Sequence, residues 1–93
     1  MTVVIQHHED VCFSARSGEH NVVIDLPDVL GGSNRGMSPP ELFISAIGAC
    51  VGVYVADYCD DHGLDYQGMR LHLDWKYRDK PRRIGKIQVR IEL

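Results

Sequence analysis

The sequence lacks the features that mark several large classes of protein. Its 93 residues carry a formal net charge of −3, so it has none of the basic excess typical of nucleic-acid-binding proteins. Its 5 histidines and 3 cysteines show no zinc-binding spacing, and no metal or other cofactor is expected. No segment is repeated or of low complexity. The chain is predicted to form a single domain, residues 1–93, of a size that buries only about 60–65% of the surface of its unfolded chain, so we expect a partner chain to contribute to its core.

The three cysteines, Cys12, Cys50 and Cys59, form no Cys-x-x-Cys pair, and the N-terminus shows no signal-peptide pattern. This pattern favours single thiols in a reducing compartment over a disulfide framework, and we expect a cytoplasmic protein. Cys59 follows Cys50 by about 13 Å along a predicted helix and by half a turn around it, so the two cannot form a disulfide within one chain. Each thiol is therefore either structural or reactive.

The most informative segment is a loop with three glycines, Gly31 to Gly36, that leads into an apolar run from Leu42 to Ala56. Ser38 is a good N-cap, Pro39 suits the first helical position, and Glu41 stands where a capping box needs an acidic side chain. The run has no charge and no single apolar stripe, which predicts a helix buried on all sides. Because its 15 residues are fewer than a bilayer requires, we expect a core helix and no membrane partner.

The remainder of the sequence is predicted to be β-structure. Apolar and polar residues alternate from Met69 to Arg78 and from Lys86 to Leu93, which predicts two half-buried strands joined by a hairpin loop. Shorter strands are predicted upstream, over Val3 to Gln6, Val11 to Ala15 and Asn21 to Asp25. A polar turn is expected at His7 to Asp10, and Gly63 is expected to end the helix. The order of strands, helix and strands predicts an α+β fold, with antiparallel strands packed on one long central helix.

These motifs resemble those of the OsmC/Ohr family, the osmotically inducible protein C and organic hydroperoxide resistance proteins. The resemblance rests on Gly31 to Leu42, on Ala46 to Cys50, on Gly63-Leu64 and on Pro81 to Ile84. It covers the chain from about His20 onward and corresponds to the N-terminal part of the family. It implies an OsmC-like fold and an intertwined homodimer. The chain ends before the region of the family's second helix and resolving cysteine, so we expect either a piece of a longer protein or a shortened member that lacks them.

The resemblance further implies a thiol-dependent peroxidase. Cys50 corresponds to the family's peroxidatic cysteine, which reduces organic hydroperoxides and is restored by a thiol reductant. Arg16 is the candidate for the active-site arginine that stabilises the thiolate, and Arg35 is the second candidate. Glu41 is the candidate for the active-site glutamate, although Pro40 occupies the position that corresponds to the glutamate of the hydroperoxide reductases.

The residues themselves leave alternatives open. Glu41 precedes Cys50 by nine residues, which is half a turn out of phase on a straight helix, so capping competes with a direct chemical role. A thiol in the middle of an apolar helix is usually an inert packing residue, and so is Cys12 in its strand. If Cys50 is only a packing residue, the alternative is a non-catalytic dimeric binding or structural protein. A third alternative is a redox-sensing thiol without turnover.

Overall fold

The computed structural model describes residues 1–79 and 82–93. Its elements are, in chain order, β1 (Val4–Glu9), β2 (Cys12–Ser17), β3 (His20–Ile24), a short 3-10 helix (Asp28–Leu30), α1 (Pro39–Asp61), β4 (Arg70–Arg78) and β5 (Arg83–Glu92). The predicted α+β class, with antiparallel strands and one long helix, is confirmed. The described residues form two compact units, Met1–Phe43 and Ile44–Leu93.

The first unit contains a three-stranded antiparallel sheet in the order β1-β2-β3. Residues that pair across antiparallel strands share a face of the sheet, so the register assigns each side chain to one face. One face is apolar and carries Ile5, Phe13, Ala15, Val22 and Ile24. The opposite face is mainly polar and carries Gln6, Ser14, Arg16 and Asn21, together with Val4 and Val23. The sheet is therefore amphipathic, with an apolar face suited to packing and a polar face suited to solvent.

The polar turn predicted for His7 to Asp10 is wrong for His7 to Glu9, because β1 continues through Glu9, and the turn begins at Asp10. The ring of His7 lies edge-on to the ring of Phe13, with 5.1 Å between the centroids. On the other face, Nε2 of His8 lies 2.8 Å from Oγ of Ser14. These contacts with β2 extend the strand, and the local sequence cannot reveal them because they join residues on different strands.

Helix α1 has 23 residues, Pro39–Asp61, and exceeds the predicted apolar run at both ends. The helix begins directly after the predicted cap Ser38 and ends just before the predicted cap Gly63. Its length and composition would also allow it to cross a membrane, so the length of the apolar run does not by itself establish the expected core helix. The core helix of a soluble protein passes the same test. Length alone therefore does not distinguish a membrane-spanning helix from a core helix, whereas the contacts of the helix do.

The helix ends at a glycine, as predicted. The N–H of Leu64 donates to the carbonyl of Cys59 at 2.8 Å, and the N–H of Gly63 donates to the carbonyl of Asp60 at 3.3 Å. Gly63 has a φ of 66°, which residues with a side chain rarely adopt. This pair of bonds is a Schellman motif, which satisfies carbonyl groups that the last turn of a helix leaves without partners.

Two glycines bring α1 close to β4 in the second unit. Gly48 is buried, and a Cβ atom at this position would lie 2.8 Å from Cδ1 of Leu73. A Cβ atom at Gly52 would lie 3.6 Å from Cδ1 of Leu71. The helix therefore packs its small residues against the leucines of the strand, which is how the core helix of a folded domain behaves.

Strands β4 and β5 form the sheet of the second unit. They pair antiparallel from Arg70 opposite Glu92 to Arg78 opposite Arg83, with one irregularity after Lys76. This confirms the two predicted strands and their pairing. The second strand is not half-buried within one chain, where Val89 is 40% and Ile91 is 41% exposed. The predicted hairpin loop and the family motif that begins at Pro81 include Lys80 and Pro81, which lie outside the described residues.

A single chain buries few of its apolar side chains. Among the described residues the buried hydrophobic side chains are those of Cys12, Ile24, Ile44 and Cys59. The helix predicted to be buried on all sides is largely exposed within one chain, where Val53 is 61% and Tyr54 is 76% exposed. The physical reason is the small size of the chain, because its strands cannot enclose a helix of this length.

Candidate functional site

Cys50 is the accessible thiol of this chain. It is exposed, whereas Cys12 is 5% and Cys59 is 1% exposed. The prediction of a buried thiol at Cys50 is therefore wrong for the single chain, while Cys12 is buried as predicted. A shallow apolar depression of about 400 Å³ surrounds the thiol. It is lined by Ala49, Cys50, Val53 and Tyr54. The surroundings of the thiol are thus open to solvent and apolar.

Glu41 forms the predicted capping box with Ser38. The backbone N–H and the hydroxyl of Ser38 donate to Oε1 of Glu41 at 3.0 and 2.8 Å, and the N–H of Glu41 lies 3.4 Å from Oγ of Ser38. The backbone N–H of Ser38, followed by its hydroxyl, holds the pKa of Glu41 below its ordinary value. Of the two functions predicted for Glu41, these contacts support capping.

Arg16 lies on β2, on the polar face of the first sheet. Its Nε donates to the carbonyl oxygen of Gly18 at 3.3 Å, which places the guanidinium beside the turn between β2 and β3. Within residues 1–79 and 82–93, no carboxylate pairs with this side chain. Arg16 is therefore an exposed cation whose charge is not neutralised by a neighbouring acid.

The strongest electrostatic centre of the first unit is one that the sequence did not predict. Asp25 directly follows β3 and has 0% exposure. Its Oδ1 accepts the N–H of Leu26 at 2.8 Å. Its Oδ2 accepts the backbone N–H groups of Ser33 and Arg35, both at 3.2 Å, and Nε of Arg35 at 3.0 Å. One carboxylate thus ties the end of β3 to the glycine loop.

Arg35, the second candidate for the cation beside Cys50, is occupied by the acids of its own unit. Besides Asp25, its guanidinium forms an ion pair with Glu9 and lies 4.0 Å from Oδ2 of Asp10. The bond to Glu9 is the main cause that raises the pKa of Arg35, with desolvation opposing it and Asp25 adding to it. Its charge therefore holds the glycine loop against the hairpin of β1 and β2.

The pKa of Asp25 reflects two opposing effects. Burial by itself would raise it, because a charged carboxylate loses its hydration. The N–H groups of Leu26, Arg35 and Ser33, together with the guanidinium, outweigh burial and hold the pKa below the ordinary value of 3.8. Asp25 is therefore charged at neutral pH despite its burial.

The glycines of the loop allow the chain to reach this carboxylate. A Cβ atom at Gly32 would overlap the backbone carbonyl of Leu26, and one at Gly36 would overlap that of Val23. Asn34 donates its N–H to the same Leu26 carbonyl at 3.0 Å. The loop thus lies directly on the backbone at the end of β3, at a distance that only glycine permits.

Comparison with known proteins relates this geometry to a family. The family described as OsmC-like protein matches residues 31–93, which include the glycine loop, α1, β4 and β5. The fold also matches the crystal structure of a protein from Psychrobacter arcticus described as an osmotic stress induced and detoxification response protein, with a TM-score of 0.88. The identity is 19%, over 98% of this chain and 68% of that chain, so this likeness shows the fold alone. A search of the curated proteins gave no match.

The capping box can be tested with two substitutions. Ser38→Ala should lower the free energy of unfolding by about 1 kcal/mol, because it removes the hydroxyl that caps the first turn. Glu41→Gln should have a much smaller effect, since a glutamine also closes a capping box. Urea unfolding of both variants measures the difference. Equal losses would show that the negative charge of Glu41, and not the geometry of the cap, stabilises the start of the helix.

Asp25 should make the stability of the protein depend on pH. Its folded-state pKa lies below 3.8, so its contribution is complete above that pH and is lost as the pH falls through the folded-state pKa. We expect Asp25→Asn to lower stability at neutral pH and to flatten the loss of stability in acid. Urea unfolding from neutral to acidic pH measures both effects. The matched control is Asp28→Asn, an exposed acid nearby, and an acid-induced loss as steep in Asp25→Asn as in this control would contradict the assignment.

Proposed function

Because the chain belongs to the OsmC-like protein family, we propose that it reduces organic hydroperoxides, with Cys50 as the peroxidatic cysteine and a small thiol as reductant. The relative from Psychrobacter arcticus is described as a stress and detoxification response protein, which is in keeping with this activity. All three cysteines are free, as is typical of a reducing compartment, and we place the protein in the cytoplasm.

The exposure of Cys50 is the observation that carries this proposal. Of the three thiols, it is the one that a dissolved oxidant can reach, and oxidation of cysteine follows access as well as thiolate fraction. Val53 and Tyr54 give the surroundings of the thiol an apolar character. An apolar surface favours the alkyl or aryl group of an organic hydroperoxide over hydrogen peroxide, which has no such group.

The proposed reaction has three steps. The thiolate of Cys50 attacks the distal peroxide oxygen, and the O–O bond breaks with its electron pair on the leaving alkoxide, which takes a proton to become an alcohol. The sulfur has then lost two electrons and is a sulfenic acid. A thiol attacks this sulfur, forms a mixed disulfide and releases water. A second thiol attacks the mixed disulfide, which restores Cys50 and releases the reductant as its disulfide.

The first step requires a thiolate, and a nearby cation favours that form. We propose that Arg16 of a second protomer supplies this charge. Two features of the first unit support the choice. Arg35 is held by Asp25 and Glu9, whereas no carboxylate among the described residues neutralises Arg16. For Glu41 we propose a structural role, in which it fixes the start of the helix that carries Cys50.

The homodimer is likewise a proposal, and the surface of the chain supports it. Helix α1 exposes a set of large apolar side chains, namely Phe43, Val53, Tyr54 and Tyr58. The apolar face of the first sheet exposes Ile5, Phe13 and Val22 as well. Monomeric proteins rarely expose apolar surface on this scale, and a second copy of the chain offers a matching apolar surface.

Reaction with a hydroperoxide tests the role of Cys50. The reduced protein should react with cumene hydroperoxide to give a sulfenic acid at Cys50, trapped by a dimedone-type reagent and located by mass spectrometry. Cys50→Ser should abolish this product and preserve the fold, because the two side chains are similar in size. Cys12→Ser and Cys59→Ser are the matched controls and should leave labelling at Cys50 intact. Equal and slow labelling of all three thiols would overturn the peroxidase and favour a binding or structural protein.

A substitution on the exposed face of α1 tests the dimer. The protein should sediment as a dimer, and Val53→Asp should shift it toward the monomer, because a carboxylate in an apolar interface is desolvated without a partner. The matched control is Val29→Asp, which introduces the same charge at a residue that is 90% exposed. Sedimentation equilibrium of the three proteins over a range of concentrations gives the dissociation constants. A wild-type protein that stays monomeric would exclude the proposed dimer.

A further inference from the structure

The polar face of the first sheet forms an open groove of about 630 Å³. None of the three cysteines lines it, so it is not part of the depression around Cys50. Its polar lining consists mainly of Gln6, His8, Ser14, Arg16, Glu19 and Asn21. All of these side chains except Glu19 can donate a hydrogen bond, and the set contains a single guanidinium and a single carboxylate.

The register of the sheet explains why these side chains converge. Gln6 pairs with Ser14 across β1 and β2, and Arg16 pairs with Asn21 across β2 and β3. Paired residues share a face, and His8 joins the same face through its contact with Ser14. Side chains from three strands therefore meet on one rigid surface, which holds their positions better than a loop would.

Ser14 and His8 form the ordered centre of this groove. Ser14 is 7% exposed, and with Asp25 it makes up the buried polar side chains among the described residues. Its Oγ lies 2.8 Å from Nε2 of His8. If the imidazole donates, the serine hydrogen is left for a ligand; if the serine donates, Nδ1 of the neutral imidazole carries the remaining hydrogen. Either arrangement leaves one donor that the pair itself does not use.

Arg16 supplies the positive charge of the groove. The bond from its Nε to the carbonyl of Gly18 fixes the guanidinium at the β2–β3 turn. Its terminal nitrogens are strong donors to oxyanions, and no carboxylate among the described residues engages them. Gln6 and Asn21 add amide donors on the same face.

We propose that this groove binds a small oxyanion, the carboxylate or the phosphate monoester of a metabolite. The guanidinium of Arg16 pairs with the anion, and the Ser14–His8 pair and the two amides donate to its remaining oxygens. Glu19 lies in the β2–β3 turn, and its negative charge weakens the binding of an anion in the groove. The site is assembled within the first unit, and the proposal does not rest on peroxidase activity.

Titration of the reduced protein with inorganic phosphate and, separately, with acetate tests this site. Chloride is used to keep the ionic strength constant, and binding is followed by the chemical shifts of the groove residues. We expect saturable binding that Arg16→Gln weakens by about tenfold or more, because a charge-assisted bond is lost. Arg82→Gln removes the same charge from an exposed arginine stacked on Tyr77 and should leave binding unchanged.

Two further variants test the composition of the groove. Ser14→Ala should weaken binding, with circular dichroism confirming that the sheet is intact. Glu19→Gln should strengthen it, because a repelling charge is removed. Stronger binding of phosphate assigns a phosphate ester, and stronger binding of acetate assigns a carboxylate; either result supports an oxyanion site.

Three results would overturn the proposal: no saturation by either anion, equal weakening by Arg16→Gln and Arg82→Gln, or weaker binding after Glu19→Gln. Cys50→Ser should bind the anion like the wild-type protein. This control removes the proposed peroxidase without changing the groove. Arg16→Gln is expected to impair both, because Arg16 is also proposed to stabilise the thiolate of Cys50 in a second protomer, so Ser14→Ala is the groove variant that should leave the peroxidase intact.

Discussion

The buried carboxylate of Asp25 is the interaction on which the first unit depends. It accepts hydrogen bonds from the end of β3, from the glycine loop and from the guanidinium of Arg35, which also reaches Glu9 on β1. Burial of a charge without a partner carries a large free-energy cost. The end of β3, the glycine loop and the hairpin of β1 and β2 must therefore be in place together. The loop leads directly into the cap of α1, and the position of the helix start therefore follows from this network.

The second constraint is that one copy of the chain is too small to bury the apolar side chains of α1. The chain carries a 23-residue apolar helix, and few of the side chains on that helix are buried within one copy. Exposure makes the thiol of Cys50 accessible, and it also creates the apolar surface that a second copy of the chain is proposed to cover. The proposed reactivity of Cys50 and the proposed dimer thus have the same cause, which is the exposure of α1 within one chain. A dimer that covered α1 completely would bury the thiol, so the proposed function requires an interface that leaves Cys50 open.

The polar and apolar faces of the first sheet illustrate a division of roles. Alternation along each strand places Ile5 and Ala15 on one face and Gln6 and Ser14 on the other. The apolar face is available for packing, and the polar face collects donors from three strands into one groove. The proposed anion site would therefore use the polar face of the sheet and leave its apolar face free for packing.

Much of the fold could be predicted from the sequence, because the signals involved are local. The cap at Ser38, the end of α1 at Gly63 and the alternation along β4 and β5 depend on neighbouring residues. The site was predicted less completely. The candidate thiol Cys50 and the capping role of Glu41 could be predicted from the sequence, but the ion pair between Arg35 and Asp25 could not. A carboxylate at the end of a strand and an arginine in a loop are each common, and only the folded chain shows that they meet.

The sequence by itself determined the α+β class, the order of the elements and the thiol in the middle of the long helix, because propensity, capping and periodicity act within a few residues. Tertiary structure decided which side chains meet. It extended β1 through His7 and His8 by pairing with β2, and it joined Arg35 to Glu9 across 26 positions of the chain. It also decided that Cys50 is exposed while Cys59, on the same helix, is buried. Exposure depends on what packs against each face of a helix, and a helix that is apolar on every side carries no local signal of which face that will be.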